Sequence, residues 1–110
     1  MEYLDTNILI SYFKKNKEPK GIISTFSLIE LERLRKIENL TYNFEKLEII
    51  ELKNIKIDFS KLFHFSQIVL DKSYLADFIH LEICLQNNLT FLTKDKKLEK
   101  LKGIYKLKII

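Results

Sequence analysis

Short apolar stretches alternate along the chain with longer segments in which apolar residues recur at helical spacing. This pattern predicts strands over residues 2–5, 21–25, 48–52, 55–57, 89–93 and 105–110, and helices over residues 8–15, 27–38, 59–71, 74–86 and 97–102. Strands that alternate with helices in this way favour an α/β fold with three layers, in which a mostly parallel central sheet is covered by helices on both faces.

The composition predicts one compact domain over residues 1–110. A chain of 110 residues, 46% of them apolar, can bury a single core but is too short for two. It has only 2 glycines and 1 proline, so no long flexible linker is expected. The formal net charge of +4 is compatible with a polyanionic partner without identifying one.

Several features of the sequence favour a cytoplasmic protein. A lone cysteine, Cys84, excludes an internal disulfide and favours a reducing compartment, and its apolar neighbours indicate a place in the core. No apolar run approaches about 18 residues, so no membrane-spanning helix is predicted. The N-terminus does not have a basic segment followed by an apolar one, so no secretory leader is expected.

Four acidic residues occupy related places in the predicted elements. Asp5 and Asp95 end strands, whereas Glu30 and Asp77 lie in the first or second turn of helices. In a parallel sheet these positions meet at the edge formed by the carboxyl ends of the strands. Each residue also has a purely structural interpretation. Asp5 and Asp95 are competent helix N-caps, Ser27 and Glu30 have the spacing of a capping box, and Asp77 suits a solvent-exposed helix face.

Carboxylates that converge on one crevice repel each other strongly unless a cation neutralises them. Because the set offers oxygen ligands and no Cys/His group, the expected ion is Mg²⁺ or Mn²⁺ rather than Zn²⁺. Such a site is typical of metal-assisted phosphodiester hydrolysis. Asn7 is predicted to orient a ligand or a water molecule, and Thr93 to donate a hydrogen bond to a carboxylate.

At this point the chain resembles the PIN domain, a small α/β metal-dependent ribonuclease fold. The matching motifs are an apolar stretch ending in Asp5-Thr6-Asn7, Ile23-Ser24 followed by helical Glu30, Asp77 early in a helix before Ile79, and Phe91-Leu92-Thr93-Lys94-Asp95. Their order and spacing agree along almost the entire chain.

The resemblance implies that Asp5, Glu30, Asp77 and Asp95 bind Mg²⁺ or Mn²⁺ and support RNA cleavage. Short members of the family are similar to VapC-type toxins, which implies a small antitoxin partner and a homodimer. This chain is shorter than most such toxins. Lys96 and Lys97 also follow Asp95 where relatives often carry a further acidic residue, which favours one firmly bound ion.

Other functions fit the sequence less well or remain open. A phosphoacceptor receiver domain needs adjacent acids after the first strand, and a dehalogenase-type phosphatase needs an aspartate where Asn7 stands. No glycine-rich phosphate loop is present. A catalytically silent PIN-fold module that binds RNA or protein, and a PIN nuclease of RNA processing, stay open. So do a site role for His80 and an RNA contact by the lysines that flank Asp95.

Overall fold

The computed structural model describes residues 2–35, 40–53, 55–68 and 74–110. Within these residues the strands are β1 (Glu2–Leu4), β2 (Gly21–Ser24), β3 (Leu47–Ile50), β4 (Thr90–Thr93) and β5 (Leu107–Ile109). The helices are α1 (Thr6–Lys14), α2 (Thr25–Arg35), α3 (Phe59–Ile68) and α4 (Tyr74–Gln86), with a 3₁₀ helix at Lys96–Leu101.

The strands form a five-stranded sheet in the order β3-β2-β1-β4-β5, and every pairing in it is parallel. The predicted α/β fold with a mostly parallel sheet is therefore confirmed. From β1 the chain first adds β2 and β3 on one side, then crosses to β4 and β5 on the other. The order thus reverses between β1 and β4, and open α/β sheets bind ligands in the crevice at such a point.

Two hydrophobic cores cover the two faces of the sheet. Successive strand residues point to opposite faces, so Tyr3 joins one core and Leu4 the other. The Tyr3 core packs against α3, α4 and the 3₁₀ helix; its large buried members include Phe65, Phe78, Leu81, Phe91 and Leu98. The Leu4 core packs against α1 and α2; its buried members are Leu4, Ile8, Leu9, Phe13, Ile23 and Leu31. Helices therefore lie on both faces, as predicted.

Helix α4 supplies a large share of the first core. Cys84 on this helix is 1% exposed, so its predicted place in the core is confirmed, and burial raises the pKa of its thiol. With 13 residues, α4 is the longest helix in the described part of the chain. None of the described helices has the length and apolar character needed to cross a membrane.

The strand predicted over residues 55–57 is wrong. This segment carries no strand, and the side-chain amide of Gln86 takes the place of a neighbouring strand. Lys56 donates its backbone N–H to Gln86 Oε1 at 3.0 Å, and Gln86 Nε2 donates to the Lys56 carbonyl at 2.8 Å. The alternation in the sequence instead reflects Ile55, which packs against the first core. The predicted helix ends at residues 36–38 and 69–71 lie outside the described residues.

Gly21, at the start of β2, is expected to tolerate no side chain. Its φ is +147°, and an added Cβ would lie 3.0 Å from the carbonyl oxygen of Glu2 and 3.2 Å from Leu4 Cγ. Gly21→Ala should lower the free energy of unfolding by more than about 1 kcal/mol in urea titrations followed by circular dichroism. Gly103→Ala is the matched control, since nothing lies within 4 Å of its Cβ position. Equal unfolding midpoints for the two variants would contradict this prediction.

Candidate functional site

A cleft of about 340 Å³ lies beyond the carboxyl ends of β1 and β4, where the strand order reverses. All four acidic residues singled out in the sequence line it, together with Asn7. The lining residues are Asp5, Thr6, Asn7, Ile10, Glu30, Arg33, Leu34, Ala76, Asp77, His80 and Asp95. Thr93 does not line the cleft but is fully buried beside it. The fold therefore brings together carboxylates from four separate segments of the chain.

Asp5 is held at the end of β1 by its neighbours in the sheet. Its backbone N–H donates to the carbonyl of Leu92 at 2.9 Å, which continues the pairing of β1 with β4. It occupies the N-cap position of α1, but its side chain makes no cap hydrogen bond. Instead Thr93 Oγ1 donates to Asp5 Oδ2 at 2.7 Å. Asp5 therefore stands at the predicted N-cap position, but a buried hydroxyl rather than a cap hydrogen bond orients its carboxylate.

The environment of Asp5 disfavours its charge. Burial raises the pKa of the Asp5 carboxyl above its ordinary value, although the Thr93 hydrogen bond and the nearby His80 oppose this shift. Desolvation disfavours the ionised form of a carboxyl group, and a bound cation favours it. Asp5 is therefore a carboxylate whose ionised form a positive charge in the cleft would stabilise.

Asp95 and Asp77 complete the rim on the other side. Asp95 Oδ1 accepts a hydrogen bond from the backbone N–H of Lys97 at 3.1 Å. Asp95 therefore caps the 3₁₀ helix, which confirms its predicted role as an N-cap. Its own N–H donates to Thr93 Oγ1 at 3.0 Å, so one hydroxyl contacts both Asp5 and Asp95. Asp77 lies in the first turn of α4 and is half-buried at the cleft. The sequence also predicts Ser73 as the N-cap of this helix, and Ser73 lies outside the described residues.

The capping box predicted for Ser27 and Glu30 is wrong. The residues that cap α2 are Ser24 and Ser27, three positions earlier. Helix α2 begins at Thr25, so Ser24 precedes it and Ser27 lies inside its first turn. Ser24 donates its backbone N–H to Ser27 Oγ at 3.1 Å, and Ser27 donates its backbone N–H to Ser24 Oγ at 3.4 Å. This reciprocal pair satisfies the helix start. Glu30 is thereby left to face the cleft.

Glu30 is oriented by two polar groups from other elements. Thr6 Oγ1 donates to Glu30 Oε1 at 2.6 Å, and His80 Nε2 lies 2.5 Å from the same oxygen. Burial raises the pKa of Glu30, but the hydrogen bonds and charge of His80 and the Thr6 hydroxyl together hold it below the ordinary value. Among the described residues no group donates a hydrogen bond to Oε2, so this oxygen is available to a ligand in the cleft.

A buried tyrosine continues this network into the sheet. The hydroxyl of Tyr3 lies 2.6 Å from His80 Nδ1, 2.6 Å from Ser24 Oγ and 3.2 Å from Ser27 Oγ. Burial raises the pKa of Tyr3, so the hydroxyl keeps its proton. Because a carboxylate can only accept, Nε2 of His80 donates to Glu30, and in the neutral imidazole the Tyr3 hydroxyl donates to Nδ1.

The sequence reasoning missed Tyr3 and Thr6 and left His80 open. One signal was present, since a tyrosine inside a strand that is buried on both faces must find a partner for its hydroxyl. That signal alone does not say which partner. The contact joins residues 77 positions apart, and it depends on how α4 packs on the sheet.

The donor set of the cleft fits a hydrated, oxygen-preferring cation. Among the described residues, no group of three His, Cys, Asp or Glu side chains is close enough to form a preformed cage for a metal ion. Mg²⁺ does not require such a cage, because it keeps several waters and is bound through one or two carboxylates. Four carboxylates around one cleft, with oxygen donors and no thiolate, match that mode of binding.

Comparison with known proteins gives one match. The family model described as the PIN domain matches residues 3–104, which include all of β4, β1 apart from Glu2, and every residue that lines the cleft. Neither the curated proteins nor the solved structures contain a match to this chain.

His80 is expected to be essential to the stability of the site. His80→Phe removes one hydrogen bond from each of Tyr3 and Glu30, and a hydrogen bond contributes about 0.5–1.5 kcal/mol, or about 1.5–3 kcal/mol where one partner is charged. Urea unfolding of the metal-free protein should show a loss of this size. His64 is exposed, so the control His64→Phe should change stability by no more than about 0.5 kcal/mol. An unchanged midpoint for His80→Phe would show that the network contributes nothing to the fold.

Proposed function

The chain belongs to the PIN domain family, and from this premise we propose that it is a Mg²⁺- or Mn²⁺-dependent endoribonuclease. PIN domains are generally nucleases, so a phosphodiester hydrolase is the class of enzyme that membership supports. The observation that carries the proposal is the cleft itself. Carboxylates from four separate segments of the chain line one crevice at the reversal of strand order, where such sheets bind ligands.

In this proposal Asp5, Glu30, Asp77 and Asp95 would hold the ion, one or two of them directly and the others through its waters. A divalent ion bound there would supply Lewis acidity and would lower the pKa of a water molecule towards neutral pH. Asn7 lies exposed at the cleft and orients either a water molecule or the substrate phosphate.

The remaining groups of the site hold the ligands in place. Thr93 fixes the Asp5 carboxylate through its hydroxyl and fixes the Asp95 backbone through the same oxygen. Thr6 and His80 both contact Oε1 of Glu30, which leaves Oε2 available to an ion. Partners of this kind set the orientation of metal ligands, and their loss typically costs about 10–100-fold in affinity or activity.

Within the family we propose the toxin of a toxin–antitoxin pair, which acts on cellular RNA, forms a homodimer and is held inactive by a small antitoxin. The support is the similarity of the sequence motifs to VapC-type toxins. Exposed apolar side chains such as Phe63 and Ile29, at 66% and 59% exposure, offer surface to protein partners. A PIN nuclease of RNA processing is the second candidate within the same chemistry. Growth arrest on expression of the wild type, but not of Asp5→Asn, would favour the toxin.

Metal binding is tested first by thermal melting. An ion that binds only the folded protein stabilises it by about 2.7 kcal/mol at a hundred times Kd. Mn²⁺ should therefore raise the Tm of the wild type and of Asp58→Asn, an exposed aspartate outside the cleft, and should raise that of Asp5→Asn much less. A uniform rise in all three proteins would show that the ion binds elsewhere.

RNA cleavage is tested with the same three proteins. Labelled single-stranded RNA should be cut by the wild type and by Asp58→Asn in Mn²⁺, but not in EDTA. Because the loss of a supporting residue alone costs about 10–100-fold, Asp5→Asn should cut at least about 100-fold more slowly. Cutting by Asp5→Asn at the wild-type rate would refute the role of Asp5. A rise in Tm with Mn²⁺ without any cutting would favour the catalytically silent binding module.

A further inference from the structure

A basic pocket of about 170 Å³ lies beside the carboxylate cleft, on the neighbouring side of α1. Its polar lining consists of Ser11, Tyr12, Lys15, Lys17 and Lys94, and Ile8 and Ile110 complete it. No acidic residue is among these lining residues. The pocket therefore has the opposite charge to the cleft next to it.

The backbone fixes the three lysines in this place, although they come from distant parts of the sequence. After α1 the chain turns back at Asn16, which has a left-handed φ of 59°. The N–H of Lys17 then donates to the carbonyl of Tyr12 at 2.9 Å, and the N–H of Lys15 donates to that of Ser11 at 3.2 Å. Lys94 follows β4 directly. The pocket is thus built by a defined turn and a strand end.

Five other lysines in the described part of the chain have an internal counterion, whereas these three do not. In the described part of the chain, a carboxylate forms an ion pair with each of Lys46, Lys53, Lys61, Lys102 and Lys108. None of the described acidic side chains forms one with Lys15, Lys17 or Lys94. Unpaired positive charges that line one pocket repel each other, and an anion relieves that repulsion.

The pocket and the cleft are neighbours. Asn7 lines the cleft and Ser11 lines the pocket, and residues four apart on a helix lie side by side on its surface. On the other side, Lys94 of the pocket directly precedes Asp95 of the cleft. An extended ligand bound in the cleft can therefore continue across α1 into the pocket.

We propose that this pocket binds the phosphodiester backbone of the RNA strand next to the phosphate that is cut. Lys15, Lys17 and Lys94 contact phosphate oxygens, and the ring of Tyr12, which is 38% exposed, stacks on a base. The proposal rests on RNA being the substrate. It also specifies the path of the RNA, which leaves the cleft and crosses the first turns of α1. A regularly spaced polyanion with flat bases fits three lysines and a tyrosine better than an acidic peptide does.

The test is RNA binding in EDTA, where cleavage does not interfere. Fluorescence anisotropy with a labelled single-stranded oligonucleotide compares the wild type with Lys15→Gln/Lys17→Gln/Lys94→Gln. The matched control is Lys46→Gln/Lys53→Gln/Lys108→Gln, which removes the same charge elsewhere. The pocket variant should bind at least about tenfold more weakly, and the slope of log K against log salt should fall by about 2, at roughly 0.7 per phosphate contact. The control variant should match the wild type in both its affinity for RNA and its salt slope.

Tyr12→Ala separates stacking from charge. It should weaken binding at least about fivefold, as the loss of one base–aromatic stack does, while the salt slope stays that of the wild type. Equal melting temperatures, measured by circular dichroism, show that each variant is folded.

Each result has a distinct meaning. Equal losses in the two lysine variants would overturn the pocket, because general charge would explain them, and cleavage by the wild type would still support the proposed function. A wild type that neither binds nor cuts RNA would overturn both proposals. Pocket-dependent binding of polyglutamate, with RNA binding unchanged in the pocket variant, would assign the pocket to an acidic protein partner and overturn the RNA proposal.

Discussion

The gathering of four carboxylates around one cleft is the constraint on which the rest of the site depends. Groups of like charge that line one crevice repel each other, so the fold must hold them there. Each of three carboxylates is bound to the scaffold through its own contact: Asp5 through the Thr93 hydroxyl, Glu30 through Thr6 and His80, and Asp95 through the N–H of Lys97. Because these contacts begin on β4, α1, α4 and the 3₁₀ helix, the site depends on the packing of the whole domain rather than on one loop.

The fold and the place of the site could be predicted because they follow from local pattern. Period and length separate strands from helices, and a carboxylate that ends a parallel strand must lie at the carboxyl edge of the sheet. The location of Asp5 and Asp95 could therefore be predicted without any knowledge of tertiary contacts. The strand expected at residues 55–57 failed for the converse reason. Its apolar and polar residues do alternate, but none of the described strands pairs with it, and the side chain of Gln86 bonds to the backbone of Lys56 instead.

The contacts that orient the site could not be predicted, because they join distant residues through exact packing. The capping signal at Ser27 and Glu30 was misplaced by three residues, since Ser24 and Ser27 cap the same helix equally well by sequence. Because Ser24 and Ser27 cap the helix, Glu30 has no capping role and lines the cleft instead. The link from Tyr3 through His80 to Glu30 spans three elements, and nothing in the sequence near Tyr3 indicates its partner.

In the two proposals, the acidic cleft binds a cation and the basic pocket binds RNA, two tasks that conflict in a single site. A cleft of carboxylates repels RNA, so the affinity for a polyanion must come largely from outside it. Lysines placed among the carboxylates would supply that affinity but would compete with the cation for the same oxygens. Lys15, Lys17 and Lys94 lie instead on the neighbouring side of α1, where no described carboxylate neutralises them. If both proposals hold, binding energy gained there holds an RNA strand in position across the cleft, as interactions remote from the reacting atoms do in other enzymes.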